Sequence, residues 1–319
     1  MNALVQVIAP VFLVIGFGHA AARAGVFGKS AVDGLMNFAQ NYAVPCLLFL
    51  AIWRIDLGAD LSLPLLLSYY GGALAGFATG FAGARWLFRR PPEDAIAIGF
   101  CALFSNTVLL GLPITERAYG TGALTYNYAI LSVHAVSMYS LGVTLMELVR
   151  AGSGAKGSTG QAGRPAAIAR KILGALARNP LVIGIGLGFL FNIAGLPLPG
   201  AAVSALEMVA RAALPAALFA LGGVLARYRT EGDRLVIAWI AAASLVVHPL
   251  VTWSLGNLVF RLPVPQLRSA VVTAAMAPGV NTFLFANMYG VARRVAASGV
   301  LVATALSVLT VWVWLAILP

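Results

Sequence analysis

The sequence predicts an all-α polytopic membrane protein with ten transmembrane helices, arranged as two inverted repeats of five helices each. Composition gives the class, because 61% of the 319 residues are hydrophobic and only 10% are charged. The mean hydropathy of +0.91 is far above that of a soluble domain. The number of helices follows from ten apolar runs, and the inverted arrangement follows from a repeat at a constant displacement along the chain.

Each apolar run is close to the roughly 20 residues that cross a bilayer as a helix. The spans are predicted over residues 3–24, 33–53, 63–88, 95–119, 121–149, 179–196, 201–226, 235–260, 267–290 and 295–318. The Gly- and Ser-rich stretch after the fifth run predicts a flexible linker. Near its end, Lys171 to Leu176 form either a short interfacial helix or an extension of span six.

Glycines and prolines of the first half recur in the second half at a displacement of 170 residues. The pairs include Gly16 and Gly186, Gly18 and Gly188, Pro45 and Pro215, and Gly120 and Gly290. Because this displacement contains five spans, an odd number, the second copy crosses the membrane in the opposite direction. The predicted organisation is a first repeat over 1–149, a cytoplasmic linker over 150–178 and a second repeat over 179–319.

Basic residues are distributed unevenly between the two sides of the predicted membrane. Of the 21 Lys and Arg residues, 16 fall in the connections on one side and 5 on the other. The positive-inside rule makes the richer side cytoplasmic. Both termini are therefore expected to face outward from the cell (inner) membrane. The net charge of +11 is explained by this topology, so no nucleic acid partner is expected.

Helix-breaking residues lie inside spans four and nine. In span nine the stretch MAPGVNTFLFANMYG predicts a break at Pro278 and Gly279, because proline lacks an N–H and clashes with the preceding turn. In span four the stretch FSNTVLLGLPITERAYG contains Asn106, Thr107, Gly111 and Pro113. Freed backbone groups are tolerated only inside the protein or beside a wet cavity. Simple kinks and packing asparagines are the alternative, but paired breaks in both halves favour a binding site.

The stretches SNTVLLGLPITERAYG, APGVNTFLFANMYG and, in span two, AVPCLLF resemble the auxin efflux carrier family, and the resemblance covers the whole chain. Bacterial members of that family include transporters of malonate, malate and related organic anions. The resemblance implies a fold related to sodium/bile-acid symporters and sodium/proton antiporters, in which spans four and nine cross as broken helices. It also implies a scaffold of spans 1, 2, 6 and 7, a transport domain of spans 3–5 and 8–10, and a homodimer.

Plant members of the family typically have proline before the asparagine of the first crossing, where this chain has Ser105. Gly111 and Pro113 are therefore expected to supply the irregularity of span four. Two half-helix N-termini that meet at such a crossing suit a carboxylate, because their unpaired N–H groups and positive dipole ends face it.

The side chains expected to bind the anion come from the two crossings and from span two. The crossings contribute hydrogen bonds from Asn106, Thr107, Asn281 and Thr282. By resemblance to the family, Val44 and Pro45 face the same pocket from the scaffold. Asn41, one turn earlier, is either a further lining residue or part of a helix-to-helix hydrogen bond.

Ionisable side chains inside a membrane span are costly and need a reason. His134 and Glu116 are the candidates for proton coupling. A hydrogen-bonded packing role is the alternative for His134, and a solvated pair with Arg117 is the alternative for Glu116. Sodium coupling has less support, because the sequence has no Asp deep in span four or nine. Two cysteines are too few for a metal site, so neither a metal nor a cofactor is expected.

Together these interpretations predict a secondary active transporter that carries a small organic anion by alternating access, with the substrate bound where spans four and nine cross. A passive channel or a membrane sensor built on a carrier fold is the alternative. The sequence has neither an HExxH motif nor a GxSxG motif, so an enzyme is not expected. The identity of the substrate, the direction of transport and the coupling to protons, to sodium or to neither stay open.

Overall fold

The computed structural model describes residues 2–152 and 165–319, and the regular elements of these residues are helices, as predicted. In the first half they are α1 (Asn2–Arg23), α2 (Lys29–Phe38), α3 (Val44–Arg54), α4 (Leu63–Ala82), α5 (Pro92–Leu103), α6 (Leu112–Tyr119) and α7 (Leu124–Gly152). In the second half they are α8 (Pro165–Ala177), α9 (Pro180–Ile193), α10 (Gly200–Arg211), α11 (Ala213–Leu225), α12 (Arg234–Ala242), α13 (His248–Ser254), α14 (Val264–Ala274), α15 (Val280–Tyr289) and α16 (Arg293–Ile317). Single π-helical turns occur at Ala39–Ala43, Gly83–Leu87, Thr107–Gly111, Ala243–Val247 and Leu255–Val259.

Seven helical stretches of the described residues are long and apolar enough to cross a membrane, which makes the chain a multi-pass membrane protein. They are Val5–Arg23, Lys29–Arg54, Leu63–Leu87, Thr121–Ala151, Gly200–Leu225, Arg234–Val259 and Arg293–Ile317. The other three predicted spans coincide with the short helix α9 and with the interrupted pairs α5 with α6 and α14 with α15. The number of ten spans stays a prediction.

The connection between the halves ends in a separate helix, α8, which lies at 81° to α9. It contains the predicted segment from Lys171 to Leu176, so this segment is a helix of its own and not an extension of span six. Lys171 forms an ion pair with Glu147 of α7, which holds α8 against that helix. Residues 153–164 of the predicted linker lie outside the described residues.

Helix ends follow from local chemistry. Asn179 caps α9 by accepting a hydrogen bond from the Leu181 amide, and Asp233 caps α12 in the same way. Gly120 ends α6 at a φ of 84°, and Gly290 ends α15 at a φ of 75°. Both backbone angles favour glycine, so each of these two helices stops where its sequence allows a sharp change of direction.

Two close helix pairs join the halves, α1 with α11 and α9 with α3. Gly18 of α1 lies directly against the backbone of Phe219, and Gly188 of α9 lies against Ile52 and the backbone of Phe49. The missing side chains let each pair of backbones approach closely, as is typical of membrane helices.

The interruptions of α5–α6 and α14–α15 meet inside the protein in an antiparallel bridge between Ser105 and Pro278. The Asn106 amide donates to the Ala277 carbonyl at 2.8 Å, and the Gly279 amide donates to the Phe104 carbonyl at 2.9 Å. Each break therefore satisfies backbone groups that the other one frees.

The first break lies earlier in the chain than the sequence suggested. We expected Gly111 and Pro113 to interrupt span four, and this position was wrong, because α5 ends at Leu103 and the non-helical residues are 104–106. Gly111 ends a π turn and Pro113 lies in the first turn of α6, where its missing N–H costs little. The bridge to the second break supplies the hydrogen-bond partners that this non-helical backbone needs, so no proline is required there.

Candidate functional site

A cavity of about 50 Å³, here called the crossing cavity, lies beside the bridge between the two breaks. Its walls are formed by the first break, the start of α15, and parts of α3, α7 and α9. The lining residues are Gln40, Val44, Leu48, Phe104, Ser105, Asn106, Thr107, Val108, Leu109, Leu131, His134, Ala135, Tyr139, Asn179, Leu181, Ile185, Gly279, Val280 and Asn281. Ten of these nineteen residues are apolar and eight have polar side chains, so the lining combines apolar surface with hydrogen-bonding groups that can orient a small molecule.

Asn106 is the polar side chain at the centre of the first break. The residue is 6% exposed, and its Nδ2 has no hydrogen-bond partner among the described residues. Its backbone is fully used, since the carbonyl accepts from the Leu110 and Gly111 amides. A buried amide donor without a partner is costly, so the Nδ2 group is available to an acceptor in the crossing cavity.

Two helical segments begin at this cavity. The π turn that leads into α6 begins at Thr107, and α15 begins at Val280, directly after the second break. The first N–H groups of a helix have no acceptor within it, and the helix dipole is positive at this end. Gly279, Val280 and Asn281 line the cavity, so the start of α15 faces it.

The wall of the cavity that α3 and the turn before it form differs in part from the sequence prediction. Val44 lines the cavity as predicted, but Pro45 lies against Gly184 of α9. Asn41 is exposed, donates to the Asn37 side chain and lines a neighbouring cavity. The residue from this turn that lines the crossing cavity is Gln40, which sequence reasoning missed.

The residues predicted at the second break divide into two groups. Gly279 and Asn281 line the crossing cavity. Pro278 pairs with Ser105 in the bridge, and the buried Thr282 donates its hydroxyl to the Gly279 carbonyl at 2.7 Å. Pro278 and Thr282 therefore shape the break, in contrast to the expectation that Thr282 binds the substrate directly.

The neighbouring cavity has a volume of about 290 Å³ and lies between the crossing cavity and α8; we call it the side cavity. It shares Gln40, Tyr139, Asn179, Leu181 and Asn281 with the crossing cavity. Sequence reasoning missed Tyr139 and Asn179. For Asn179 the Asn-Pro pair before span six was an available signal, although it predicts a helix start and not a lining position.

A third cavity, of about 780 Å³, lies where α3 ends and α7 begins, and we call it the opposite cavity. Pro113 and Glu116 line it, so the structure separates them from Asn106. Arg117 does not form the predicted pair with Glu116, because its guanidinium donates to the Gln6 and Val7 carbonyls of α1. Arg54 and Glu207, which form an ion pair at 2.6 Å, also line this cavity.

The crossing cavity has an uncharged lining, because its described residues include no Lys, Arg, Asp or Glu. His134 is the imidazole in its wall and is 2% exposed. Within the described residues, no three His, Cys, Asp or Glu side chains are grouped as metal ligands. The site thus offers neutral hydrogen-bond donors and helix starts, together with one imidazole.

A family model described as "Membrane transport protein" matches residues 3–315. The "Putative malonate transporter" of Rhizobium meliloti (strain 1021) is 26% identical over 315 residues, which cover 98% of this chain and 94% of that protein. The "Uncharacterized transporter YfdV" of Escherichia coli (strain K12) is 23% identical over 312 residues, 96% of this chain and 95% of that protein. The "Lysosomal cholesterol signaling protein" of Mus musculus is 24% identical over 333 residues, which cover 97% of this chain but 37% of the mouse protein.

The family match covers almost the whole length of the chain, and both bacterial relatives are named as transporters. These matches confirm a transport protein and not an enzyme. The chain belongs to the membrane transport protein family, which is the auxin efflux carrier family that its sequence resembles.

Proposed function

We propose that this protein is a secondary active transporter of a small organic anion, and that the anion's carboxylate binds in the crossing cavity. The observation that carries the proposal is the buried Nδ2 of Asn106, which has no hydrogen-bond partner in the described part of the chain and lies beside the start of α15. A carboxylate accepts hydrogen bonds and carries negative charge, so it matches both the amide donor and the positive end of the helix. Because the R. meliloti relative is named for malonate transport, malonate is the first candidate substrate to test.

The proposed architecture is ten spans in two inverted repeats, with broken helices as spans four and nine. Features of the backbone recur at the displacement read from the sequence. Gly25 and Gly195 both have positive φ, as do Gly120 and Gly290. The contacts of Gly18 with Phe219 and of Gly188 with Phe49 are also equivalent under a displacement of 170 residues. Equivalent packing in both halves supports a twofold relation between the repeats.

Alternating access is supported by cavities at both ends of the helix bundle. The side cavity approaches the crossing from the end where α9 begins, and the opposite cavity lies at the end where α3 finishes. Both lie between helices that we assign to the scaffold, spans 1, 2, 6 and 7, and helices that we assign to the transport domain, spans 3–5 and 8–10. Movement between these two units would expose the crossing to each side in turn.

The proposed orientation follows the basic residues, with both termini on the outer side of the inner membrane and α8 in the cytoplasm. The side cavity then faces the cytoplasm, and the opposite cavity faces outward. We further propose a homodimer held by scaffold helices, on the family resemblance. A proton or sodium ion is the coupling ion to be tested.

The binding test uses purified protein and four acids, namely malonate, succinate, acetate and indole-3-acetate. Asn106→Ala and Asn281→Ala each remove a hydrogen bond to a charged group, worth about 1.5–3 kcal/mol. The apparent affinity for the acid that binds most tightly is therefore expected to fall about 10- to 150-fold. Melting temperatures are expected to stay near the parental value, because truncating a side chain that lines a cavity leaves no other buried group without its hydrogen-bond partner.

Two other asparagines provide matched controls. Asn287 lies on α15, as Asn281 does, but is exposed, so Asn287→Ala is expected to change neither affinity nor stability. Asn127 is buried and donates to Thr115 and Thr273, so Asn127→Ala is expected to lower the melting temperature. Normal folding with parental affinity in both Asn106→Ala and Asn281→Ala would refute the site.

The carrier mechanism has its own test in membrane vesicles. A carrier predicts that substrate inside the vesicles accelerates the uptake of labelled substrate, whereas equal fluxes with and without internal substrate would indicate a channel.

A further inference from the structure

His134 is a buried polar side chain whose role the packing does not explain. It lies on α7, lines the crossing cavity and is 2% exposed. Neither ring nitrogen has a hydrogen-bond partner in the described part of the chain. The packing role considered from the sequence needs such a partner, since a buried polar group is normally satisfied. The imidazole therefore has free donor and acceptor capacity at the wall of the proposed anion site.

Aromatic rings surround this imidazole. The centroid of Phe104 lies 4.7 Å away in an edge-on arrangement, and those of Tyr69 and Tyr70 lie at 5.7 and 6.2 Å. The hydroxyl groups of the two tyrosines are already used, by Ser105 at 2.8 Å and by the Ile130 carbonyl at 2.7 Å. The rings therefore give the imidazole an apolar, uncharged surrounding that neither bonds nor neutralises it.

The titratable groups around His134 are few. They are Tyr69 and Tyr70 of α4, Tyr139 of α7 and His248 of α13, whose ring lies 5.3 Å from that of Tyr69. The described lining of the crossing cavity contains no carboxylate that could balance an imidazolium. An unpaired charge in such a buried site is costly. A bound carboxylate is thus the counter-ion that would make protonation of His134 favourable.

We infer that His134 takes up one proton when the anion binds, so that the carrier moves a proton together with its substrate. This inference rests on the proposed function. The proton comes from solution, binds a ring nitrogen while the carboxylate enters, and leaves again when the carboxylate is released on the other side. Binding of the proton and binding of the anion strengthen each other by the same factor, because linkage is reciprocal.

The other candidates for coupling are less well placed. Glu116 lines the opposite cavity, beside Arg117, and is not among the residues that line the crossing cavity with Asn106. His248 is fully buried, packs against the Tyr69 ring and is not among the residues that line the crossing cavity. Of these three residues, His134 is the one that lines the crossing cavity.

The experiment measures proton uptake on binding. Malonate, or whichever of the four acids binds most tightly, is titrated into the full-length protein by calorimetry in two buffers with different ionisation enthalpies. The wild-type protein is expected to take up about one proton near pH 7.5, and its apparent affinity is expected to fall up to about tenfold per pH unit between about pH 7 and 8.5. His134→Gln is expected to bind more weakly, with no proton uptake and no pH slope.

His19→Gln is the matched control, because it removes a histidine of α1 outside the cavity and should keep the proton uptake. If the His134→Gln protein folds poorly, His134→Asn provides a second variant. The number of protons that the wild-type protein takes up on binding is measured without any variant. Binding without proton uptake in the wild type, or unchanged uptake in the His134 variants, would overturn the coupling while leaving the anion carrier intact. Absence of saturable binding of all four acids would overturn both.

Discussion

Replacement of Gly18 or Gly188 by alanine is predicted to destabilise the protein, in contrast to replacement of Gly16 or Gly186, two residues earlier in each helix. A Cβ at Gly18 would lie 2.9 Å from the carbonyl carbon of Phe219 and nearer still to its oxygen. A Cβ at Gly188 would lie 2.8 Å from the Cβ of Ile52. Backbone and Cβ atoms cannot rotate away as the end of a long side chain can, so the two helices would have to separate.

The magnitude follows from two opposing effects. Extra methyl groups in a packed interface cost about 1–3 kcal/mol, whereas alanine is favoured over glycine inside a helix by about 0.5–1 kcal/mol. Gly16 and Gly186 have no atom within 4 Å of the added Cβ, so their alanine variants experience only the favourable effect. Within each matched pair the helix preference cancels, and the expected difference is the packing cost of about 1–3 kcal/mol.

The assay is thermal unfolding of detergent-purified protein with a thiol-reactive dye, which reports exposure of the buried Cys101. Gly18→Ala and Gly188→Ala are expected to melt below the parental protein, and Gly16→Ala and Gly186→Ala at or above it. Both halves should respond alike if they are equivalent repeats. The reasoning is refuted if Gly18→Ala is as stable as Gly16→Ala, and the equivalence fails if only one half shows the difference.

Two further predictions concern the contact between α1 and α6 and the topology. Arg117 donates to the Gln6 carbonyl of α1 at 2.8 Å. That carbonyl lacks its usual partner within the helix, because Pro10, four residues later, lacks an N–H. Arg117→Lys should therefore lower the free energy of unfolding by about 1 kcal/mol, and by less in a Pro10→Ala background, where the new alanine supplies the N–H. Additive effects in that double-mutant cycle would contradict the contact. Single cysteines at Ala177 and Gly200, in a protein without Cys46 and Cys101, should react with impermeant reagents from the cytoplasmic and outer faces respectively. Reaction of both from one face would contradict the inverted arrangement.

The sequence predicted best where a residue acts through its own backbone. Pro278 and Gly279 ended a helix because of their own covalent geometry, and the second break lies where they indicated. The first break has neither proline nor glycine at 104–106, and its backbone leaves the helix because the second break provides hydrogen-bond partners there. That cause is tertiary, so the search for a local breaker led to Gly111 and Pro113, which lie in helical turns.

Lining positions were harder to predict than breaks, because they depend on the exact rotation of a helix. Asn41 and Gln40 precede Val44 by three and four residues, and an ordinary helix would place both near its face. The π turn at Ala39–Ala43 is wider, so the residue four positions back comes closer to the direction of Val44. Gln40 lines the cavity as a result, while Asn41 points away from it. Nothing in the sequence indicated that turn.

In the proposed carrier, the hydrogen bonds between the two breaks leave the anion-binding groups free. Because Asn106 and Gly279 donate their backbone amides across the bridge, binding does not have to compete with those hydrogen bonds. The groups left for the substrate are the Asn106 side chain and the first turn of α15, which lie on one side of the bridge. Tyr69 adds a hydrogen bond from α4 to Ser105. The breaks are therefore held as one unit with their donors preorganised, and in the proposed carrier this unit would move past Val44 without rebuilding the site.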